Sequence, residues 1–173
     1  MEKGNIWIIV VSVKHRSAQK LIKQLVKKGF NPFRIVVVTN ITNTEPLLEL
    51  GIAPEHIKRK DFAGYAGALD IGAGVVVCND PGASIIGLST ELTVETNEDK
   101  EHMGNMFSTS ISVENSVTKR QGFIVGSKFE DGIIVCRAET IMTPFMKGLK
   151  HRGTTFKELK DAIRKFCKLD LVA

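Results

Sequence analysis

Polar and charged side chains follow three apolar runs in the first half of the chain. Ser12, Lys14 and Arg16 stand at the end of the first run, Asn40 after the second, and Asp80 after the third. Parallel strands bring their carboxyl ends to one edge of a sheet, where ligands of open α/β sheets bind. The cations suit a phosphate, Asn40 suits a base or a sugar, and Asp80 suits a divalent cation. The pattern predicts a phosphate-bearing ligand at this edge, unless these residues only form the turns after strands.

Most signature motifs of enzymes are missing from the sequence. No Gly-x-Gly-x-x-Gly follows the first apolar run, so the dinucleotide fingerprint is absent there. The segment Gly122–Lys128 is one residue too short for a phosphate-binding loop and has the residue types of a strand. The four histidines lack metal-ligand spacing, and there is no Gly-x-Ser-x-Gly elbow. The chemistry must therefore be inferred from the strand ends.

The elements that position these residues begin with a strand, a helix and a strand. Ile6–Val13 and Arg34–Thr39 are nearly unbroken β-branched runs, which predict strands covered on both faces. The helix between them is predicted to begin at Ser17, as a cap, and to stop at Gly29. This order is a βαβ unit, for which a right-handed crossover is expected.

The next stretch is predicted to complete the parallel half of a sheet. The predicted elements are a short helix at Thr44–Leu50, a short strand at His56–Arg59, a helix at Gly64–Gly72, a third buried strand at Gly74–Cys78 and a turn at Asn79–Gly82.

The hydrophobic period changes in the second half, where the segments are typical of antiparallel strands. Strands are predicted at Leu92–Glu95, Phe107–Val113, Gly122–Phe129 and Ile133–Ala138, with a hairpin turn at Asp131-Gly132 and a terminal helix capped by Thr155 and Glu158. We therefore predict one α/β domain over residues 1–173. Its three-layer, Rossmann-like half (6–80) is followed, over 84–173, by an antiparallel meander and a C-terminal helix.

Length and charge agree with a single basic domain. The chain has 173 residues and 24 Lys plus Arg against 19 Asp plus Glu, a net charge of +5. A charged fraction of 25% with 43% hydrophobic residues argues against disorder. The longest apolar run, Ile6–Val13, is too short to span a bilayer, and the first residues lack the pattern of a signal peptide. Three scattered cysteines suit a reducing compartment, so a cytoplasmic location is expected.

The first half resembles the nucleotide-sugar-binding half of inverting GT-A glycosyltransferases. That family has a buried strand, a polar turn, a helix and a second strand, then a basic and acidic stretch, a small-residue helix and a strand ending in an Asp-x-Asp metal motif. The corresponding stretches here are Ile6–Arg16, Arg34–Asn40, Arg59–Asp61, Gly64–Gly72 and Val75–Asp80. The resemblance covers residues 6–80, under half the chain. Cys78-Asn79-Asp80 has one acid where the metal motif has two.

The resemblance implies an enzyme that moves a sugar from a nucleotide-sugar donor to a hydroxyl acceptor. The implied residues are Ser12, Lys14, Arg16, Asn40, Asp61, Gly67 and Arg152 for substrate binding, Asp80 for Mn²⁺ or Mg²⁺, and Glu139 or Asp131 as the catalytic base.

Two other functions fit the same sequence. A non-catalytic module for nucleotides or nucleic acid is favoured by the lysines of the first helix and by the basic cluster at 147–152. A homo-oligomeric assembly protein, such as a homodimer, is favoured by Phe107–Val113, an alternating segment suited to an edge strand.

Overall fold

The structure is a computed structural model, which describes residues 6–12, 15–40, 42–59, 64–89, 98, 101, 124–125 and 133–138. The elements of this part are β1 (Ile6–Ser12), α1 (His15–Lys27), β2 (Ile35–Thr39), α2 (Glu45–Glu49), β3 (Ile57–Arg59), α3 (Gly64–Asn79), β4 (Ser84–Ser89), β5 (Ile124–Val125) and β6 (Ile133–Arg137). Single 3₁₀ turns at Pro32–Arg34 and Pro54–His56 lead into β2 and β3.

The strands form one mixed sheet in the order β3-β2-β1-β4-β6-β5. The four strands from β3 to β4 are parallel, whereas β6 runs antiparallel to both of its neighbours. From β1 the chain first adds strands on one side, β2 and then β3, and afterwards crosses to the other side to form β4. The strand order therefore reverses between β1 and β4. The predicted α/β fold with a parallel sheet is confirmed.

Helices cover both faces of the sheet because β1 is apolar on both. Ile8 and Val10 pack with Leu21 and Leu25 of α1. Ile9 and the other odd-numbered residues of β1 pack against α3. The continuous β-branched run thus supplies two cores at once, as expected for a central parallel strand.

The end of α1 agrees with the sequence prediction, and its beginning lies two residues earlier. Gly29 has φ 95° and donates its backbone N–H to the Val26 carbonyl at 3.0 Å, while Phe30 donates to the Leu25 carbonyl at 3.0 Å. These two bonds close the helix in a Schellman motif, which needs the left-handed conformation that glycine adopts at little cost. The helix starts at His15, so Ser17 lies inside it.

The strand predicted at Gly74–Cys78 is wrong, because these residues continue α3 to Asn79. Val76 is fully buried against the sheet, so this turn of the helix is as apolar as a buried strand. The third buried parallel strand is instead β4, after a turn in which Gly82 has φ 86°. The turn predicted at Asn79–Gly82 is in the correct position, but it follows a helix rather than a strand.

The described part of the second half confirms one antiparallel pair. Ile124 of β5 pairs with Val135 of β6, within the two strands predicted on either side of Asp131-Gly132. β6 also pairs with β4, which joins this segment to the parallel sheet. The strands predicted at Leu92–Glu95 and Phe107–Val113, and the terminal helix, lie outside the described residues.

Candidate functional site

The carboxyl ends of the four parallel strands meet at one edge of the sheet, called here the carboxyl edge. Ser12 is in register with Thr39, and Thr39 with Arg59, while Ser89 pairs with the residue before Ser12. Ser12 is fully buried, and Asn40, one residue beyond Thr39, is exposed. The structure therefore brings Ser12 and Asn40 to the same edge, as predicted.

Helix α1 begins at this edge, directly beyond β1. Its first residue, His15, lies three positions after Ser12, and its first turn contains no acidic residue. The first N–H groups of a helix have no partner within it, and the helix dipole places positive charge there. Arg16 belongs to this turn, and Lys14 lies outside the described residues. The carboxyl edge thus offers backbone donors to an anion at the point where the strand order reverses.

Arg59 fixes the segment that follows β2. Its Nη1 donates to the backbone carbonyl of Thr42 at 2.7 Å, a short charge-assisted bond. Because Arg59 ends β3, this bond ties the end of that strand to the segment that carries Asn40. Farther along, the side chain of Asn43 accepts the backbone N–H of Glu45 at 3.3 Å, where α2 begins. No spacing pattern in the sequence indicated the role of Arg59.

Asp80 lies at the opposite edge of the sheet. Trp7 Nε1 donates to Asp80 Oδ2 at 3.3 Å, and Trp7 is the second residue of β1. Ser12 lies five positions after Trp7, which is about 16 Å along a strand. The separation arises because Asp80 follows a helix that runs back across the sheet, not a strand that ends with β1 and β2. The grouping of Asp80 with Ser12 and Asn40 is therefore wrong.

Asp80 makes a side-chain contact at the opposite edge. One of its oxygens accepts the Trp7 indole N–H, and the described residues contain no group of three or more His, Cys, Asp and Glu side chains that could hold a metal ion. The Trp7 ring also meets the buried His56 edge-on, with ring centroids 5.3 Å apart. Asp80 is thus part of a contact between α3, β1 and the start of β3.

Glycines on both sides of the interface between α3 and the sheet, Gly72 of α3 and Gly87 of β4, allow close packing. A Cβ on Gly72 would come within 2.5 Å of Ile9 Cγ2, and one on Gly87 of β4 within 2.8 Å of Leu69 Cδ2. The closest approach of α3 is therefore to the sheet. Gly67 lies in the first part of α3, near the carboxyl edge, and is partly exposed.

The remaining predicted site residues fall outside the part of the chain that the structure describes. They are Lys14, Asp61, Asp131, Glu139 and Arg152. Their predicted roles stay predictions.

Comparisons with protein-family models, with curated proteins and with solved structures found no match to this chain. Within the described residues, no helix combines the length and the apolar character needed to cross a bilayer.

Proposed function

We propose that the carboxyl edge binds the diphosphate of a nucleotide, and that this nucleotide is the donor in a sugar transfer to a hydroxyl acceptor. The observation that carries the proposal is the reversal of strand order between β1 and β4, with α1 beginning beside it. In doubly wound sheets the ligand crevice lies outside the carboxyl ends of the strands at such a reversal.

The residues near this edge have complementary roles in the proposed complex. In this proposal the first N–H groups of α1, together with Lys14 and Arg16, bind the phosphates, and Asn40 binds the base or the ribose. Arg59 is a positioning residue, because its bond to the Thr42 carbonyl orders the segment after Asn40.

The proposed reaction is a displacement at the anomeric carbon. The acceptor oxygen forms a bond to that carbon while the bond to the diphosphate oxygen breaks, and the diphosphate leaves with the electron pair. Glu139 or Asp131 takes the acceptor proton, and positive charge from Lys14, Arg16 and Arg152 stabilises the leaving group. No step is assigned to a metal ion, because Asp80 lies at the other edge.

A non-catalytic nucleotide-binding module is the second candidate. The position of Asp80 favours this binding module. The resemblance assigned Asp80 to a metal ion, and the structure places this residue away from the carboxyl edge. Both candidates share the same nucleotide site and differ in whether a sugar is transferred.

A thermal-shift titration with UDP, GDP, ADP and their sugar conjugates, with and without Mn²⁺, tests the shared site. A ligand at ~100 times its Kd stabilises the folded state by about 2.7 kcal/mol. For a chain of this size that raises Tm by roughly 5–10 °C. We expect a shift with at least one nucleotide, and we expect Arg16→Ala and Asn40→Ala to reduce it.

Two control variants test whether the nucleotide binds at the carboxyl edge. Lys58→Ala removes one positive charge from the middle of β3, and Asp80→Ala changes the opposite edge, so both are expected to keep the nucleotide shift. A shift that persists in Arg16→Ala and Asn40→Ala but disappears in Asp80→Ala would contradict the proposed site. Release of free nucleoside diphosphate from a nucleotide sugar in the presence of a hydroxyl acceptor distinguishes the transferase from the binding module.

A further inference from the structure

Helix α1 presents a row of lysines on the side turned away from the sheet. Lys20, Lys23 and Lys27 are exposed, while Leu21 and Leu25 on the other side are buried. Their spacing of three and four residues places the lysines on one line about 10 Å long. We call these three residues the α1 lysine stripe.

The charge of the stripe is not balanced on its own helix. The thirteen residues of α1 contain no aspartate or glutamate, so no intrahelical acid lies three or four positions from these lysines. On the same face of the sheet, α2 carries Glu45 and Glu49. The stripe is therefore a concentrated positive surface that suits an anionic partner.

An exposed aromatic side chain follows α1 in the 3₁₀ turn that leads into β2. Phe33 is 67% exposed, the most exposed large apolar side chain in the described part of the chain. It follows Lys27 by six residues, and both lie toward the amino-terminal edge of the sheet, because α1 runs back from the carboxyl edge before β2 begins. An exposed Phe beside lysines can enter the headgroup region of a bilayer while the ammonium groups meet lipid phosphates.

We propose that the α1 lysine stripe and Phe33 form a docking surface for an anionic lipid membrane. The outer side of a straight helix matches a flat surface, and lysines bind phosphates as point charges without selecting a sequence. A single-stranded nucleic acid would call for several stacking rings along a groove. Phe33 is the one large aromatic side chain that is exposed among the described residues. The stripe begins one helical turn after Arg16, and the docking proposal does not depend on the nucleotide proposal.

Co-sedimentation with lipid vesicles tests the docking surface. We expect the protein to bind vesicles of phosphatidylcholine with about 30% phosphatidylglycerol at 0.1 M NaCl, and to bind pure phosphatidylcholine far more weakly. Each lysine is expected to contribute about fivefold, so Lys20→Ala/Lys23→Ala/Lys27→Ala should lower binding on the order of a hundredfold. Phe33→Ala should lower it roughly fivefold. Because all four side chains are exposed, Tm and the far-UV CD spectrum should stay near those of the native protein.

A matched variant separates this surface from net charge alone. Lys147→Ala/Lys150→Ala/Lys157→Ala also reduces the net charge from +5 to +2 and is expected to keep the binding. Equal losses in the two triple variants, or a native protein that ignores anionic vesicles, would overturn the proposal. Binding of a 20-nucleotide single strand through the stripe, without binding to anionic vesicles, would assign the surface to nucleic acid instead.

Discussion

Gly72 decides how closely α3 can approach the central strand. It is buried in the middle of the helix, where a Cβ would meet the fully buried, β-branched Ile9 at 2.5 Å. Real Cβ atoms are not found so near another carbon, so either the helix or Ile9 must move. The residue at this position therefore controls the packing distance between two layers of the fold.

We expect Gly72→Ala to destabilise the protein by about 1–3 kcal/mol, the usual cost of overpacking a core. Gly74→Ala is the matched control, because nothing lies within 4 Å of a Cβ there. In a helix that change should stabilise by roughly 0.5–1 kcal/mol. Urea unfolding of both variants measures the difference. Equal free energies of unfolding would mean that α3 does not lie this close to β1.

At the scale of elements, a guanidinium group connects the end of β3 to the segment after β2. The Arg59–Thr42 bond is a long-range contact, across 17 residues, and it joins the ends of neighbouring strands at the carboxyl edge. Asn40 and residues 42–44, the described part of this segment, form no helix or strand before α2 begins at Glu45. The mobility of the backbone in that segment should therefore depend on whether this hydrogen bond is formed.

Arg59→Ala should loosen the backbone between β2 and α2. Amide hydrogen exchange at residues 40–44 is expected to become several-fold faster, whereas the amides of β2 itself keep their protection. Lys58→Ala, one residue earlier in the same strand, should leave the exchange unchanged. If nucleotide binding weakens in Arg59→Ala without a fall in Tm, the segment belongs to the binding site as proposed. Unchanged exchange would show that other contacts order it.

At the scale of the whole molecule, β6 joins the second half of the chain to the first. It pairs with β4, and the side chain of Ile134 is fully buried in the same core as Trp7 and Ile9. A residue from beyond position 130 thus completes the core of the parallel half. This arrangement predicts that the two halves unfold together.

Ile134→Ala should lower the Tm of a single cooperative transition. The loss of a buried isoleucine side chain costs about 2–5 kcal/mol, or roughly 5–15 °C for a chain of this length. Trp7 is the sole tryptophan, so its fluorescence reports the first half while far-UV CD reports the whole chain. Leu48→Ala, at an exposed position, is the control and should change Tm little. Transitions that separate by the two probes would contradict a single domain.

The sequence by itself determined the elements whose signals are local. The β-branched runs of β1 and β2 specify buried strands, and the glycine that ends α1 specifies where the helix stops. Each of these signals depends only on neighbouring residues. The arrival of Ser12 and Asn40 at one edge follows from these, because parallel strands align their ends. The half of the candidate site formed by β1, α1 and β2 was therefore predictable.

Only the tertiary structure decided the places where helix and strand share the same residue types. The run that contains Val76 is apolar enough for either state, and in the structure it continues α3, which packs closely on Ile9 at Gly72. That single choice moved the third parallel strand to β4 and placed Asp80 beside Trp7, at the opposite edge from Asn40. The Arg59–Thr42 bond likewise joins residues 17 apart that no periodicity connects. Contacts between distant segments, rather than local propensity, fixed these positions.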